Sequence, residues 1–263
     1  MEVAIQVEAI VRENGAVPAT IAIIDGEIHV GLEPAALHRI ATDTAILKAS
    51  IRDLATISAK KLSAATTVAA TSHIAHSAGI SFFATGGLGG VHRGAQETWD
   101  ESADLHSLAN VPVLVVSAGA KSILDVAATL ERLETLSVPI LGFRTNRFPG
   151  FYLADSGFDI EYRADSPAEI AAIWNSRLTV KTTNSGMVVA NPVVNQMDRA
   201  LHETTLRNGL TASEAAGITG KAVTPFLLEY FHSHTDGESL RVNIEIIRAN
   251  AALAAQIAVA AQN

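Results

Sequence analysis

Val113-Leu114-Val115-Val116-Ser117-Ala118-Gly119-Ala120-Lys121-Ser122 decides how this chain folds. Four consecutive branched apolar residues leave no polar face, the pattern of a strand buried on both sides. A glycine turn closes the strand, and Ile123, Val126, Leu130 and Leu133 recur beyond it at helical spacing. Pro139-Ile140-Leu141-Gly142-Phe143 then supplies a further strand. On the upstream side, Ile80-Ser81-Phe82-Phe83-Ala84 reads as a strand running into Thr85-Gly86-Gly87-Leu88-Gly89-Gly90. Strand, glycine turn, helix, strand predicts an α/β layered sheet.

Working outward, Val3, Val7, Ile10 and Val11 share one helical face that ends at Asn14-Gly15. The run Ala19–Ile24, the Asp25-Gly26 turn and the alternation through Val30 predict a hairpin. A short strand near Ala45–Ala49, a helix through Arg52–Lys61 and a small-residue helix over about Ala65–Ala78 follow. Toward the C-terminus the pattern predicts strands at Phe158–Tyr162 and Met187–Ala190 and a helix near Pro167–Trp174. A long helix carrying Leu240, Ile244, Ile247 and Ala251 on its apolar stripe comes last. No repeat or linker interrupts the pattern, so one domain is expected over residues 1–263.

Composition narrows the function. Of 263 residues 48% are hydrophobic and only 5% aromatic, a palette for buried strands under small-residue helices rather than for a base-stacking surface. Nineteen basic against 27 acidic residues leave a formal net charge of −8, which argues against a general nucleic-acid binder. The absence of cysteine excludes disulfides, thiolate metal sites and cysteine nucleophiles. Neither a secretory signal at Met1–Ile5 nor a run near the roughly 18 apolar residues of a membrane span is visible. No membrane association and a cytoplasmic location are expected.

Several residues carry chemistry. The glycine stretch Thr85–Gly94 could bring bare amides to a phosphate or sugar, or could simply be a tight turn; it fits no G-x-G-x-x-G register. Gly119-Ala120-Lys121-Ser122 lacks the Gly that a P-loop needs directly before its Lys. Lys121 sits past a buried strand at the start of a helix, where helix amides and partial desolvation lower an amine's pKa and free it to attack a carbonyl carbon. A rim lysine with its amine in water is the alternative. Asp100, Glu101 and Asp104 offer the carboxylate oxygens that Mg²⁺ or Mn²⁺ prefers, while Asp100 or Ser102 could equally cap a helix. Thr66-Thr67-Val68 opens a helix whose free amides suit a phosphate, and Lys48 could answer the same anion. His73, His76, His232 and His234 lack a third ligand and read as non-ligands.

The wording of the strings Asn14–Ile23, Ala65–Ala69, Phe83–Gly94, Ser117–Asp125, Val188–Pro192 and Thr224–Leu228 resembles the pseudouridine-5′-phosphate glycosidase family, also called indigoidine-synthase-A-like, across almost the whole chain. The resemblance implies an α/β/α layered sandwich around a mixed, mostly parallel central sheet. It also implies a homotrimer, Mn²⁺, and the interconversion of pseudouridine 5′-phosphate plus water with uracil and ribose 5-phosphate. By motif, Lys121 matches the covalent nucleophile and Asp100 the metal ligand. Ser102, Ala103 and Asp104 match a substrate-binding segment, Lys48 and Val68 match further substrate contacts, and Asn243 matches a residue that binds the opened sugar. Family members usually begin with a strand segment resembling A-L-E-S-T-I, whose Glu is the proposed general acid. This chain starts after it, so no residue here carries that Glu, and a general acid is worth about 10²- to 10⁴-fold. A non-catalytic sugar-phosphate-binding paralogue and an unrelated lysine-dependent sugar-phosphate lyase are the alternatives.

Overall fold

The structure, a computed structural model, describes residues 2–219 and 222–262. Its strands divide between two sheets. The larger follows the opening reading: β5 (Phe82–Ala84), β6 (Leu114–Ser117), β7 (Ile140–Phe143), β8 (Tyr162–Ala164) and β9 (Met187–Ala190) form an all-parallel sheet in the order β5-β6-β9-β7-β8. Successive side chains point to opposite faces, so each strand feeds two cores. Val113, Val115 and Val188 enter one with Leu105, Leu108 and Leu133, whereas Leu114, Val116, Met187 and Val189 enter the other with Ile170, Leu253 and Ile257. Helices α4 (Val68–Ser77), α6 (Ala103–Asn110) and α7 (Val126–Thr135) supply residues to the first face or pack on those that do. Helices α8 (Pro167–Val180) and α11 (Glu238–Ala260) cover the second. That is the expected α/β class, with a layered arrangement about a parallel sheet.

The smaller sheet has the order β2-β1-β4-β3, built from β1 (Ile21–Ile24), β2 (Glu27–Val30), β3 (Leu47–Ala49) and β4 (Ala64–Thr66). The hairpin is as the alternation predicts, with Ile23 paired to Ile28. Strand β4 runs antiparallel to β1 and parallel to β3. The sequence pattern assigned Ala65–Thr66 to the following helix, but that helix begins at Val68, because the Thr67 hydroxyl accepts from the Ala70 amide and caps it. Helices α2 (Pro34–Thr42) and α3 (Leu54–Ala59) complete this half, α1 (Glu2–Glu13) packs on α11, and a short α5 (Ala95–Thr98) follows the glycine stretch. Strand β8 starts where the sequence reading of that strand ends, and α8 continues past Trp174 to Val180.

One correction concerns α11. It reaches the length and mean hydropathy of a membrane span (1.2), contrary to the sequence expectation that no stretch approached one. Nine of its residues are buried, among them Val242, Ile246, Asn250 and Ile257, so in this fold it serves as a core helix. With α9 (Arg199–Ala215) and α10 (Val223–Ser233) it encloses a third core above the ends of β6 and β9, containing Phe151, Tyr152, Met197, Leu227 and Phe231.

Candidate active site

In a parallel sheet, ligands bind beyond the carboxyl ends of the strands. Two loops leave β5 and β6 at that end and run side by side. Leu88 bridges Ala120, the Leu88 amide donates to the Gly119 carbonyl (2.9 Å), and the Lys121 amide donates to the Leu88 carbonyl (3.1 Å). Glycine is required where they meet. Gly119 has φ of +77°, and a Cβ there would lie 2.0 Å from the Pro149 carbonyl oxygen.

The pairing delivers Lys121 into a partly enclosed position, where its amine interacts with the charges of Asp104 and Lys48. Burial is the largest influence and lowers its pKa below the ordinary lysine value; Asp104 opposes that shift, and Lys48 reinforces it. The cause differs from the sequence expectation. Helix α7 does not begin at Lys121 but at Val126, capped by the Asp125 carboxylate, which accepts from the Ala128 amide (3.0 Å). Desolvation, not a helix end, therefore loosens the proton, with Lys48 assisting against the stronger opposing pull of Asp104.

Asp104, on the first turn of α6, is buried to 6% exposure. Its Oδ1 accepts from the Ala69 amide and its Oδ2 from the Gly89 amide, both at 2.9 Å, so one carboxylate ties the start of α4 to the glycine turn. Ser102 caps α6 by accepting from the Asp104 amide (3.2 Å), and Ala103 opens that helix. Gly89 must be glycine, since a Cβ there would lie 2.2 Å from Ser102 Oγ and 2.7 Å from Asp104 Oδ2. Gly89→Ala is expected to destabilise the protein by about 1–3 kcal/mol, measured by denaturant unfolding.

Lys48 lies on β3 in register with Ala65, one residue before Thr66, and Val68 is the first residue of α4. Lys48, Val68, Ser102, Ala103, Asp104 and Lys121, separate in sequence, are thus linked through one network of loops. Asn243 joins them from α11: its Oδ1 lies 3.4 Å from where a Cβ on Gly86 would stand, and Phe151 packs against Gly86 and Gly87.

The acidic cluster does not stay together. Glu101 turns outward to Arg132 (2.9 Å), and Asp104 is committed to amides. Asp100 keeps a partly exposed carboxylate facing His92, whose Nδ1 is 3.7 Å from Oδ2. Among the described residues no three His, Cys, Asp or Glu side chains gather as a metal-binding group. A single open carboxylate fits a hard cation that keeps most of its coordination shell as water. His92 is the site residue that sequence reasoning missed. It lies in the string Val91-His92-Arg93-Gly94, where local spacing gives no sign that it meets Asp100. Antiparallel pairing of Val91 with Glu101, and the His92 amide donating to the Asp100 carbonyl (3.0 Å), bring His92 back beside Asp100.

The sequence and the fold also match known proteins. The family model for indigoidine synthase A like protein matches residues 1–260. A pseudouridine-5′-phosphate glycosidase of Salinispora tropica is 56% identical over 262 residues, covering 99% of this chain and 81% of the relative. The enzyme of the same name from Caldanaerobacter subterraneus subsp. tengcongensis is 50% identical over 261 residues, covering 98% and 85%. The crystal structure of the prealnumycin C-glycosynthase AlnA in complex with ribulose 5-phosphate superposes with a TM-score of 0.92 at 34% identity, covering 99% of this chain and 86% of the other.

Proposed function

We propose, from the premise that the chain belongs to the indigoidine synthase A like family, that it cleaves the C–C glycosidic bond of pseudouridine 5′-phosphate to give uracil and ribose 5-phosphate. It is an enzyme of the C-glycosidase type, as its highly identical relatives are. The observation that carries the reading is Lys121: a lysine with a lowered pKa, flanked by Asp104 and Lys48, at the carboxyl end of a parallel sheet.

The bond explains the need for an amine. A carbanion at uracil C5 is a poor leaving group, so the two-carboxylate oxocarbenium route of ordinary glycosidases does not apply. In the proposed route the ribose ring opens as the C1′–O4′ bond breaks, with the uracil π-system assisting and O4′ taking up a proton. The neutral Lys121 amine then adds to C1′ and releases a proton, which restores the nitrogen lone pair. Protonation of C5 lets the C1′–C5 electrons pass to uracil as the nitrogen lone pair forms the iminium, and water hydrolyses that iminium to ribose 5-phosphate. Lys48 and the Val68 amide at the start of α4 hold the phosphate, converting remote binding energy into orientation, while the next two amides are taken by Asp104 and Thr67. Asn243 faces the opened sugar, and Ser102 and Ala103 build the wall that Asp104 secures.

Asp100 would hold Mn²⁺, with His92 beside it and water completing the shell. Such an ion supplies Lewis-acid and water-ordering chemistry near the uracil oxygens. Asp100→Ala is expected to weaken Mn²⁺ binding by at least about tenfold, read as free aqueous Mn²⁺ by electron paramagnetic resonance. Unchanged binding would remove Asp100 from the metal assignment.

The same reading takes the assembly as a homotrimer in the cytoplasm. The activity is tested by uracil release from pseudouridine 5′-phosphate with Mn²⁺ present. Turnover well above a Lys121→Ala control is expected, and none from folded protein would overturn the reading.

A further inference from the structure

Asn250 is an amide inside an apolar helix, and it is 1% exposed. Burying an amide is tolerable only when its donors and acceptor are satisfied. Its Oδ1 accepts from Asn191 Nδ2 (2.9 Å), and its own Nδ2 donates to the carbonyls of Thr85 (2.7 Å) and Gly86 (3.4 Å). Asn191 follows β9 directly, and its backbone amide donates to the Ser117 carbonyl at the end of β6 (2.8 Å). The Thr85 amide donates to the Val116 carbonyl (3.0 Å), and the Gly86 carbonyl accepts from the Ala118 amide (2.9 Å). Two asparagines thus join the carboxyl ends of β5, β6 and β9 to α11 at one point.

Asn243 lies seven residues earlier on the same helix, two turns and about 10 Å away along the axis, and hence on the same face. Both asparagines address Gly86, one by a hydrogen bond to its carbonyl and one across the space where its Cβ would be. Leu253, Ala254 and Ile257 seat α11 on the sheet through apolar contacts. Other directional bonds of α11 run to the Asn195 loop and to α1 and its end, and the Asn250 amide is the bond that ties the helix to the glycine turn itself.

We propose that Asn250, oriented by Asn191, is a positioning residue that holds Asn243 and the Gly86–Gly87 turn in the register the opened sugar requires. The inference rests on the glycosidase reading for what Asn243 touches, but not for the latch itself.

Two measurements test it. In folded Asn250→Ala, kcat is expected to fall by about 10- to 100-fold while KM stays within about threefold, and adding Asn243→Ala to that variant costs less than about twofold although it costs tenfold or more in the parent. Losses that multiply independently, or an unchanged kcat, would overturn the proposal. A merely structural asparagine would lower thermal stability without that non-additivity. The second measurement needs no turnover: amide hydrogen exchange in the peptide spanning 84–90 is expected to quicken in Asn250→Ala while β6 stays protected, and equal exchange rules the latch out. Absent parent turnover with quickened exchange would sink the glycosidase reading and leave the latch standing. If Asn250→Ala does not fold, Asn191→Ala carries both measurements, since it removes the orienting partner while leaving the Asn250 donor in place.

Discussion

Replacing Lys121 with alanine is expected to lower uracil release by at least about 10⁴-fold, the scale on which enzymes lose rate when a covalent nucleophile is removed. The phosphate binding proposed for Lys48 and the start of α4 is expected to survive, because neither is held in place by the Lys121 side chain. The pH profile carries the sharper information. In the proposed route only the neutral amine attacks C1′, so kcat/KM is expected to rise with pH through the pKa of Lys121, and burial lowers that pKa below the ordinary lysine value. The ascending limb should therefore lie at lower pH than an exposed lysine would give. The buried amine is also a stability cost at neutral pH, since the folded state resists a proton that the unfolded chain accepts. Lys121→Met should abolish turnover yet raise Tm by about 2–4 °C per kcal/mol recovered. A variant that loses activity together with stability would indicate that Lys121 is structural instead.

The second large effect concerns acid. His202 on α9 is 4% exposed and packs against Tyr152 and Phe231, with ring centroids 6.4 Å and 5.4 Å away. Neither ring nitrogen has a hydrogen-bond partner among the described residues. Burial, helped by the positive charges of Arg199 and Arg93, pushes its pKa down to about 4 from 6.5. The native state therefore binds fewer protons than the unfolded chain between these values. The resulting stability is fully present above pH 6.5 and is lost progressively as pH falls toward 4, amounting to roughly 3 kcal/mol over the interval. His202→Leu replaces an unpartnered polar ring with an apolar side chain and should flatten that part of the pH–stability curve. Denaturant midpoints at pH 7 and pH 4.5 measure it. If the variant and parent lose equal stability between those pH values, His202 is not the group that titrates.

Legibility in the sequence followed burial. Strands β6, β7 and β9 could be read because each is an uninterrupted apolar run, and only a strand covered on both faces needs one. Strand β4 was hidden because Ala64, Ala65 and Thr66 are small and merge with the alanine-rich helix after them. Helix α9 was unreadable for a related reason. Its fully buried residues are His202, Thr205, Gly209 and Ser213, small or polar groups that pack closely against the core and α10, while Leu201, Leu206 and Leu210 reach that core only partly buried. The candidate site was legible as residue types in motif strings, but its electrostatics were not. Nothing local says that Asp104 is spent on two backbone amides, that Glu101 turns to Arg132, or that His92 returns beside Asp100, since each depends on a partner distant along the chain.

The strand order of the larger sheet has a consequence for biosynthesis. Strand β9 lies between β6 and β7 although it follows both in the chain. As the protein emerges from the ribosome, Leu114–Ser117 and Ile140–Phe143 are made early and have no direct pairing with each other; their shared neighbour arrives only with Met187–Ala190. Until then two strongly apolar strand edges stay open, in a parallel arrangement whose long-range closure is slow. The nascent chain must pass through this interval before α11 can cap the sheet, so the closing of the sheet waits on the last third of the sequence.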